Sequence, residues 1–495
     1  MRNKKLFLNI STALLNQVVI AVCGLILPRA ILSNFGSEVN GLVSSITQFL
    51  AAIAFMELGV GAVVQSSLYK PLAEKDDVMI SKIIISANSF FKKVALILTI
   101  YTCMLTFLYP ILVNNNFDFM FTASLVIIIS ISSFAQYYFG ITNQILLNAD
   151  QKSYIQLLLQ SGTQILNTIF CVILINNGSS IQMVKLTTSI IYMMRPLFQW
   201  YYVRKHYNID YNIKVTEEPI KQKWNGFTQH LATVVLDKTD VIILTIFSTL
   251  DNVSIYGVYY LVVNSLSKLV VSTTTGTQSY LGRLIARGEK EKVKEAFSRV
   301  EIISHLFITL IFTICGCLLV PFVYVYTKGI DDANYIVPVF AVLITIANAA
   351  YSFRNSYNII VKAAGHYKET QSSAIIEMFI NIIVSVILVI KFGLVGVAIG
   401  TLSAMVYRTI YFVYYTSKIV DHSPKAFWYN IFVDVVECLV ICLIFNFIKF
   451  DVVNYLQWFI LAIKTTIIGI VVCLSCNYIF FRKKMVLAIS KFTRR

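Results

Sequence analysis

Fourteen apolar stretches, each long enough to cross a bilayer as a helix, take up most of this chain. They lie near residues 10–34, 40–68, 83–110, 119–147, 154–176, 181–203, 226–249, 253–282, 300–327, 334–361, 371–390, 393–417, 427–448 and 456–481. A helix needs about 20 mostly apolar residues to span hydrocarbon, whereas a barrel would show alternating stretches of about ten. Stretches of this length predict an all-α polytopic membrane protein. Composition closes the other routes: 57% of residues are hydrophobic and 13% charged, with mean hydropathy +0.73. Soluble domains carry roughly 25% charged residues. With 8 prolines in 495 residues, disordered and collagenous classes are excluded as well.

The formal net charge is +16. If both termini are cytoplasmic, the inner loops and tails hold 28 Lys and Arg against 3 outside (Lys328, Lys391 and Lys449). The positive-inside rule then sets the orientation and asks for an even number of spans. The basic balance is therefore topological, and no nucleic acid partner is needed. The first stretch has no small-residue cleavage site after it and reads as a span. All nine cysteines fall within the apolar stretches, so no external disulfide is expected. Cys473 and Cys476 have CxxC spacing without an accompanying His or second pair, and packed thiols are the expectation rather than a metal site.

One sizeable polar stretch, 204–225, follows the sixth span. It divides the chain into a six-helix bundle at 1–203, a cytoplasmic linker at 204–225 and a second six-helix bundle at 226–418. Two extra transmembrane helices at 427–481 and a basic cytoplasmic tail at 482–495 follow. The halves show self-similarity at a period of 214 to 216 residues, pairing Gly41 with Gly257 and Asn167 with Asn381. Both copies start from the same side, so a pseudo-twofold relation along the membrane normal is expected, as in transporters built from parallel repeats.

External loops are about ten residues or shorter, which leaves little room for the lumenal domain of a membrane glycosyltransferase. No GxxxxGK[ST] pattern occurs, and His206, His230, His305, His366 and His422 are scattered without metal-ligand spacing. The expectation is a non-enzyme with no cofactor. Function is then sought in charges inside the membrane, which cost about 2.5–3.5 kcal/mol each at mid-bilayer on insertion scales. Glu57, Asp237, Lys238, Asp240 and Lys268 lie roughly 15–25 Å along their helices from the cytoplasmic end. Asp237 and Asp240 share a helical face, with Lys268 at similar depth on the next helix; they form either a buried ion-pair network or an ion-coupling site. Arg195, Arg354 and Arg408 occupy the middle or inner parts of their spans and read as unpaired cations facing a cavity. Arg29 and Lys185 lie nearer the outer mouth, where they can snorkel. Asp434, Glu437 and Lys464 sit in the extra pair of helices and read as packing groups.

These residues sit within familiar strings: FGSEVNGL at 35–42, FMELGVG at 55–61, LYKPLAEKD at 68–76, NADQKSY at 148–154, QHLATVVLDKTDVIIL at 229–244 and GVYYLVVNSL at 257–266. Together they resemble the polysaccharide flippase family of the multidrug/oligosaccharidyl-lipid/polysaccharide (MOP) exporter superfamily. The resemblance implies transfer of undecaprenyl-pyrophosphate-linked oligosaccharide from the inner to the outer leaflet of a bacterial plasma membrane by alternating access, without ATP. It also implies membrane lipid, a polysaccharide polymerase and glycosyltransferases as partners. A cationic cavity would hold the diphosphate, for which Arg29, Arg195, Lys268, Arg354 and Arg408 are the candidates. Glu57, Asp237 and Asp240 are the candidates for ion coupling. Two rival readings are a cation-coupled multidrug exporter of the same superfamily and a membrane scaffold for polysaccharide assembly. Whatever the cargo, the charge bias has a direct consequence. Reporter fusions at Asn3 and Phe492 should read as cytoplasmic and those at Asn115, Gly178 and Asp251 as external; an external Phe492 would break the even span count.

Overall fold

The computed structural model describes residues 2–57, 59–113, 117–213, 227–366, 368–448 and 452–481. Most of the expected linker, the basic tail and the side chain of Asp237 lie outside the described residues. The chain divides into two compact units, Met1–Ser254 and Ile255–Arg495. The described residues are helical throughout, apart from turns and short connections.

The first unit begins with α1 (Arg2–Ala51), which folds at Gly36, where φ is 83°. A 3-10 turn, Ala52–Glu57, links it to α2 (Val60–Glu74). Then come α3 (Asp77–Leu112), α4 (Phe119–Ala135), a π-helical turn (Gln136–Gly140), α5 (Ile141–Ala149), α6 (Ser153–Asn176), α7 (Ile181–His206) and α8 (Phe227–Phe247). Side-chain caps mark several starts: Asp76 accepts from Met79 N at 2.9 Å, and Asp118 from Met120 N at 3.1 Å. Buried hydroxyls and amides join the helices, with Ser45 and Thr245 2.6 Å apart and Asn40 donating to Ser254 at 2.8 Å. Such groups act as interhelical glue where no water competes for them.

The second unit takes in most of α9 (Leu250–Ala286), then α10 (Lys290–Tyr326), α11 (Pro338–Ala363), α12 (Gln371–Val420), α13 (Pro424–Phe447) and α14 (Tyr455–Phe480). Helix α12 folds back at Gly393, where φ is 51° and ψ −125°, a conformation that a Cβ would oppose. Its two limbs meet closely because Gly396 and Gly400 form a GxxxG pair: a Cβ would lie 2.4 Å from the Leu388 carbonyl and 2.1 Å from Ser385 Oγ respectively. On α14, Ile463, Ile467 and Leu474 are exposed, the surface expected to face lipid.

Among the described residues nine helices are long and apolar enough to cross a membrane. Two of them, Phe7–Ala51 with 45 residues and Gln371–Val420 with 50, are folded at Gly36 and Gly393 and supply two expected spans each. Helices α7, α8 and α11 coincide with expected spans but fall outside the nine because polar residues such as Arg195, Lys238 and Arg354 lower their hydropathy.

One local pattern recurs in the two units. Between α6 and α7, Cys171 Sγ donates to Val184 O at 3.5 Å, Asn167 donates to the Tyr192 hydroxyl at 3.3 Å, and Arg195 donates to Thr163. Between the limbs of α12, Ser385 Oγ donates to Val397 O at 3.4 Å, Asn381 donates to Thr401 at 3.1 Å, and Arg408 binds Glu377. Thr163, Asn167 and Cys171 each precede Glu377, Asn381 and Ser385 by 214 residues, and Val184 and Arg195 precede Val397 and Arg408 by 213. Gly41 and Gly257, by contrast, do different work. A Cβ on Gly41 would lie 1.9 Å from Leu250 O, while nothing lies within 4 Å of one on Gly257.

The α12 hairpin gives a stability test. Gly400→Leu should cost about 1–3 kcal/mol or more through overpacking and lower the thermal midpoint of the purified protein in detergent. Gly316→Ala, whose Cβ would meet Thr345 at an ordinary 3.8 Å, should leave the midpoint unchanged. Equal midpoints for the two would show that the limbs can separate without loss.

Candidate functional site

Two breaks in helical regularity build a polar chamber in the first unit. The 3-10 turn ends on Glu57, and the π turn carries Gln136 and Tyr137. Irregular backbone at membrane depth is tolerated where it is buried in protein or lines a wet cavity. Here both turns line a cavity of about 580 Å³ whose wall includes Glu57, Gln136, Gln144, Gln156, Gln160, Tyr192, Arg195 and Gln199. Gly140 lets the π turn pack against α7: a Cβ there would lie 2.7 Å from Pro196 Cβ.

Each charged group is held in place. Tyr137 donates to Glu57 at 2.8 Å. Arg195 donates to Thr163 and lies over the Tyr192 ring at 4.1 Å, so that its direct contacts are neutral. The Tyr192 hydroxyl donates to Gln164 at 2.7 Å, and Gln136 donates to Gln144 at 2.9 Å. Gln199 is buried and its Oε1 has no hydrogen-bond partner among the described residues. A buried acceptor without a donor costs roughly 1–3 kcal/mol, which a water or ligand donor in the chamber would offset. The chamber thus presents a carboxylate, a guanidinium, several amides and an open acceptor. That set complements a ligand with many hydroxyl groups and an anionic end.

Arg354 and Arg408 are not the unpaired cations expected from sequence. Both bind the fully buried carboxylate of Glu377, one on each oxygen. Arg354 also lies over Tyr351 at 4.5 Å, and Arg408 over Phe412 at 5.2 Å. The triad carries one excess positive charge, and Arg408 Nε has no partner among the described residues. Glu377 was missed in the sequence because it lies within the eleventh apolar stretch, 31 residues before Arg408. Its place opposite Thr163 in the repeat is the signal that would have found it.

The other candidates lie apart. Lys268 is exposed on α9, Arg29 is half-buried on α1, and Asp240 is buried on α8. The chamber brings together Glu57 and Arg195 among the sequence candidates, and the triad Arg354 and Arg408. A second cavity, of about 640 Å³ and lined mostly by apolar side chains, lies among α10, α11, α12 and α13, with Asp434 on its wall. Asp434 and Glu437, read from sequence as packing groups, are engaged by His305 and Asn477.

No family model matches the chain, and no curated protein sequence matches it. Solved structures do. The lipid II flippase MurJ in an inward closed conformation is similar over 97% of this chain and 100% of its own, with TM-score 0.71 and 17% identity. An inward-facing multidrug resistance MATE family transporter of the MOP superfamily is similar over 81% of this chain and 94% of its own, with TM-score 0.65 and 13% identity. A MOP superfamily transporter from Pyrococcus furiosus Vc1 is similar over 82% and 95%, with TM-score 0.56 and 14% identity. The chain has the all-α polytopic fold of that superfamily, as its sequence resemblance implied.

The shared carboxylate makes an asymmetric prediction. Glu377→Gln leaves two buried guanidiniums without a counter-charge and should cost about 3–5 kcal/mol, the usual penalty for breaking a buried pair from one side. Arg354→Met leaves a balanced pair with Arg408 and should cost less. Thermal unfolding of both purified variants checks the order; a reversed order would mean that Glu377 does not compensate the two cations.

Proposed function

We propose that this chain is a MOP-type transporter that moves a lipid-linked anionic oligosaccharide from the inner to the outer leaflet of a bacterial plasma membrane by alternating access, with both termini cytoplasmic. The observation that carries the reading is the chamber of the first unit, where Arg195 and a row of glutamines line one wall system with Glu57. Amide side chains donate and accept at once, which suits sugar hydroxyls. A guanidinium whose direct contacts are neutral suits a phosphate or acidic sugar. Arg29 and Lys268 remain candidates for the diphosphate, and Asp240 for ion coupling. An inside-negative membrane potential would assist outward movement of an anion by about 2.3 kcal/mol per charge per 100 mV. The fold shared with a lipid II flippase is in keeping with this cargo class.

A second reading has its own observation. Glu57, Tyr137 and Tyr192 form an acidic and aromatic set on the same chamber. That set would suit an amphipathic cation, the cargo of a cation-coupled multidrug exporter. A scaffold, the third reading, has no need of such a chamber.

Reconstituted full-length protein separates these. With a lipid-linked oligosaccharide in proteoliposomes, Arg195→Gln should slow appearance of the saccharide on the far leaflet about tenfold at unchanged folded abundance. That is the scale of one lost charge-assisted hydrogen bond. A wild-type rate for a normally folded Arg195→Gln would overturn the assignment of the chamber. Absence of flipping in the wild type, together with export of a lipophilic cation that Glu57→Gln abolishes, would establish the second reading instead.

A further inference from the structure

The second unit buries two carboxylates that no lysine or arginine contacts among the described residues. Glu301 on α10 is 1% exposed. One of its oxygens accepts from the Tyr357 hydroxyl of α11 at 2.5 Å; the other lies 2.7 Å from His422 Nε2, in the connection between α12 and α13. The His422 nitrogen is at ion-pair distance but is not aligned for a hydrogen bond. One turn along α10, His305 places Nδ1 2.5 Å from Asp434 Oδ2 of α13. Its other ring nitrogen, Nε2, is buried and has no partner among the described residues.

The proton inventory of these contacts is open. With both imidazoles neutral, the two carboxylates place two uncompensated negative charges in a low-dielectric interior, which is costly. Each imidazole has a second nitrogen that can take a proton, and each proton taken turns a buried anion into a balanced pair. His305 Nε2 is the vacant nitrogen of the inner pair. His422 is partly exposed, at 12%, and gives the outer pair a path to water. Other groups around the network do not supply the missing charge. Lys294 of α10 is engaged at 3.4 Å by Asp421, outside the network. Glu437, one turn beyond Asp434, accepts from Asn477 of α14 at 2.5 Å. The thiols of Cys438 and Cys473 face this end of α13 and are neutral donors. Phe297, Phe353 and Phe427 pack around the two imidazoles.

We propose that Glu301, His305, His422 and Asp434 form a proton-binding site, in which proton uptake by the two imidazoles clamps α13 against α10. The site differs from the acidic residues singled out in the sequence, and it ties the core of the second unit to the pair of helices lying outside the repeat. It stands whether the cargo is an oligosaccharide or a lipophilic cation, since no step depends on cargo.

Hydrogen–deuterium exchange of the full-length protein in detergent tests it without substrate. After correction for intrinsic exchange rates, the backbone amides of the first turns of α13 should exchange about tenfold more slowly at about pH 5.5 than at about pH 8, bracketing ordinary imidazole titration. His305→Gln/His422→Gln keeps amide donors toward both carboxylates yet cannot take the protons, and should remove that pH dependence. Protection of α13 in the wild type that is unchanged between the two pH values would overturn the proposal, even if the variant fails to fold. So would a folded double variant that keeps the wild-type pH dependence, which would leave the imidazoles with a packing role only. Loss of oligosaccharide transport alone bears on the cargo reading and leaves this one intact.

Discussion

Hydrocarbon has no hydrogen bonds to give, and this constraint orders the rest of the structure. A side chain that needs a partner turns away from lipid and finds one on another helix. On α14 the outward positions Ile463, Ile467 and Leu474 are apolar, while the inward Asn477 meets Glu437. The same rule gathers Glu57 with Tyr137, Glu377 with two arginines, and His305 with Asp434. Polar sites in this chain are therefore consequences of helix packing, and each is as stable as the helices that frame it.

A single side-chain difference at a repeated position shows how one scaffold supports two chemistries. Arg195 and Arg408 both reach across from the second helix of a closely packed pair to a residue of the first. In the first unit that residue is Thr163, which offers a hydroxyl and leaves the guanidinium charge uncancelled by its direct contacts. In the second it is Glu377, which cancels that charge and takes up Arg354 as well. The first arrangement leaves a cation at a chamber wall; the second builds a buried triad. Duplication supplied the frame, and the exchange of a neutral group for a carboxylate decided which copy keeps its charge available.

The chamber also depends on departures from ideal helix geometry. A straight α-helix through 52–57 or 136–140 would project its side chains at a regular interval of 100°, without opening a wall between the turns. The 3-10 turn brings Glu57 to the chamber and the π turn brings Gln136 and Tyr137, with Gly140 giving α7 room to approach. Regular elements hold the unit together, and its irregular ones carry the polar groups.

Hydropathy and length by themselves determined the helical class and the placement of the spans, because the cost of exposing polar groups to lipid is paid residue by residue along the chain. The same local cost marked Glu57, Arg195, Arg354 and Arg408 as residues needing an interior. Which interior, and beside whom, only the tertiary structure decided. Glu57 meets Tyr137 80 positions away, and His305 meets Asp434 129 positions away. Arg408 reads in sequence as an isolated cation until the α12 hairpin folds Glu377 against it. Asp434 reads as packing until α13 lies against α10. A charge near mid-bilayer announces that it must be compensated, but the identity of the compensating group is set by which helices cross and at what height, and that depends on packing between residues far apart in the chain.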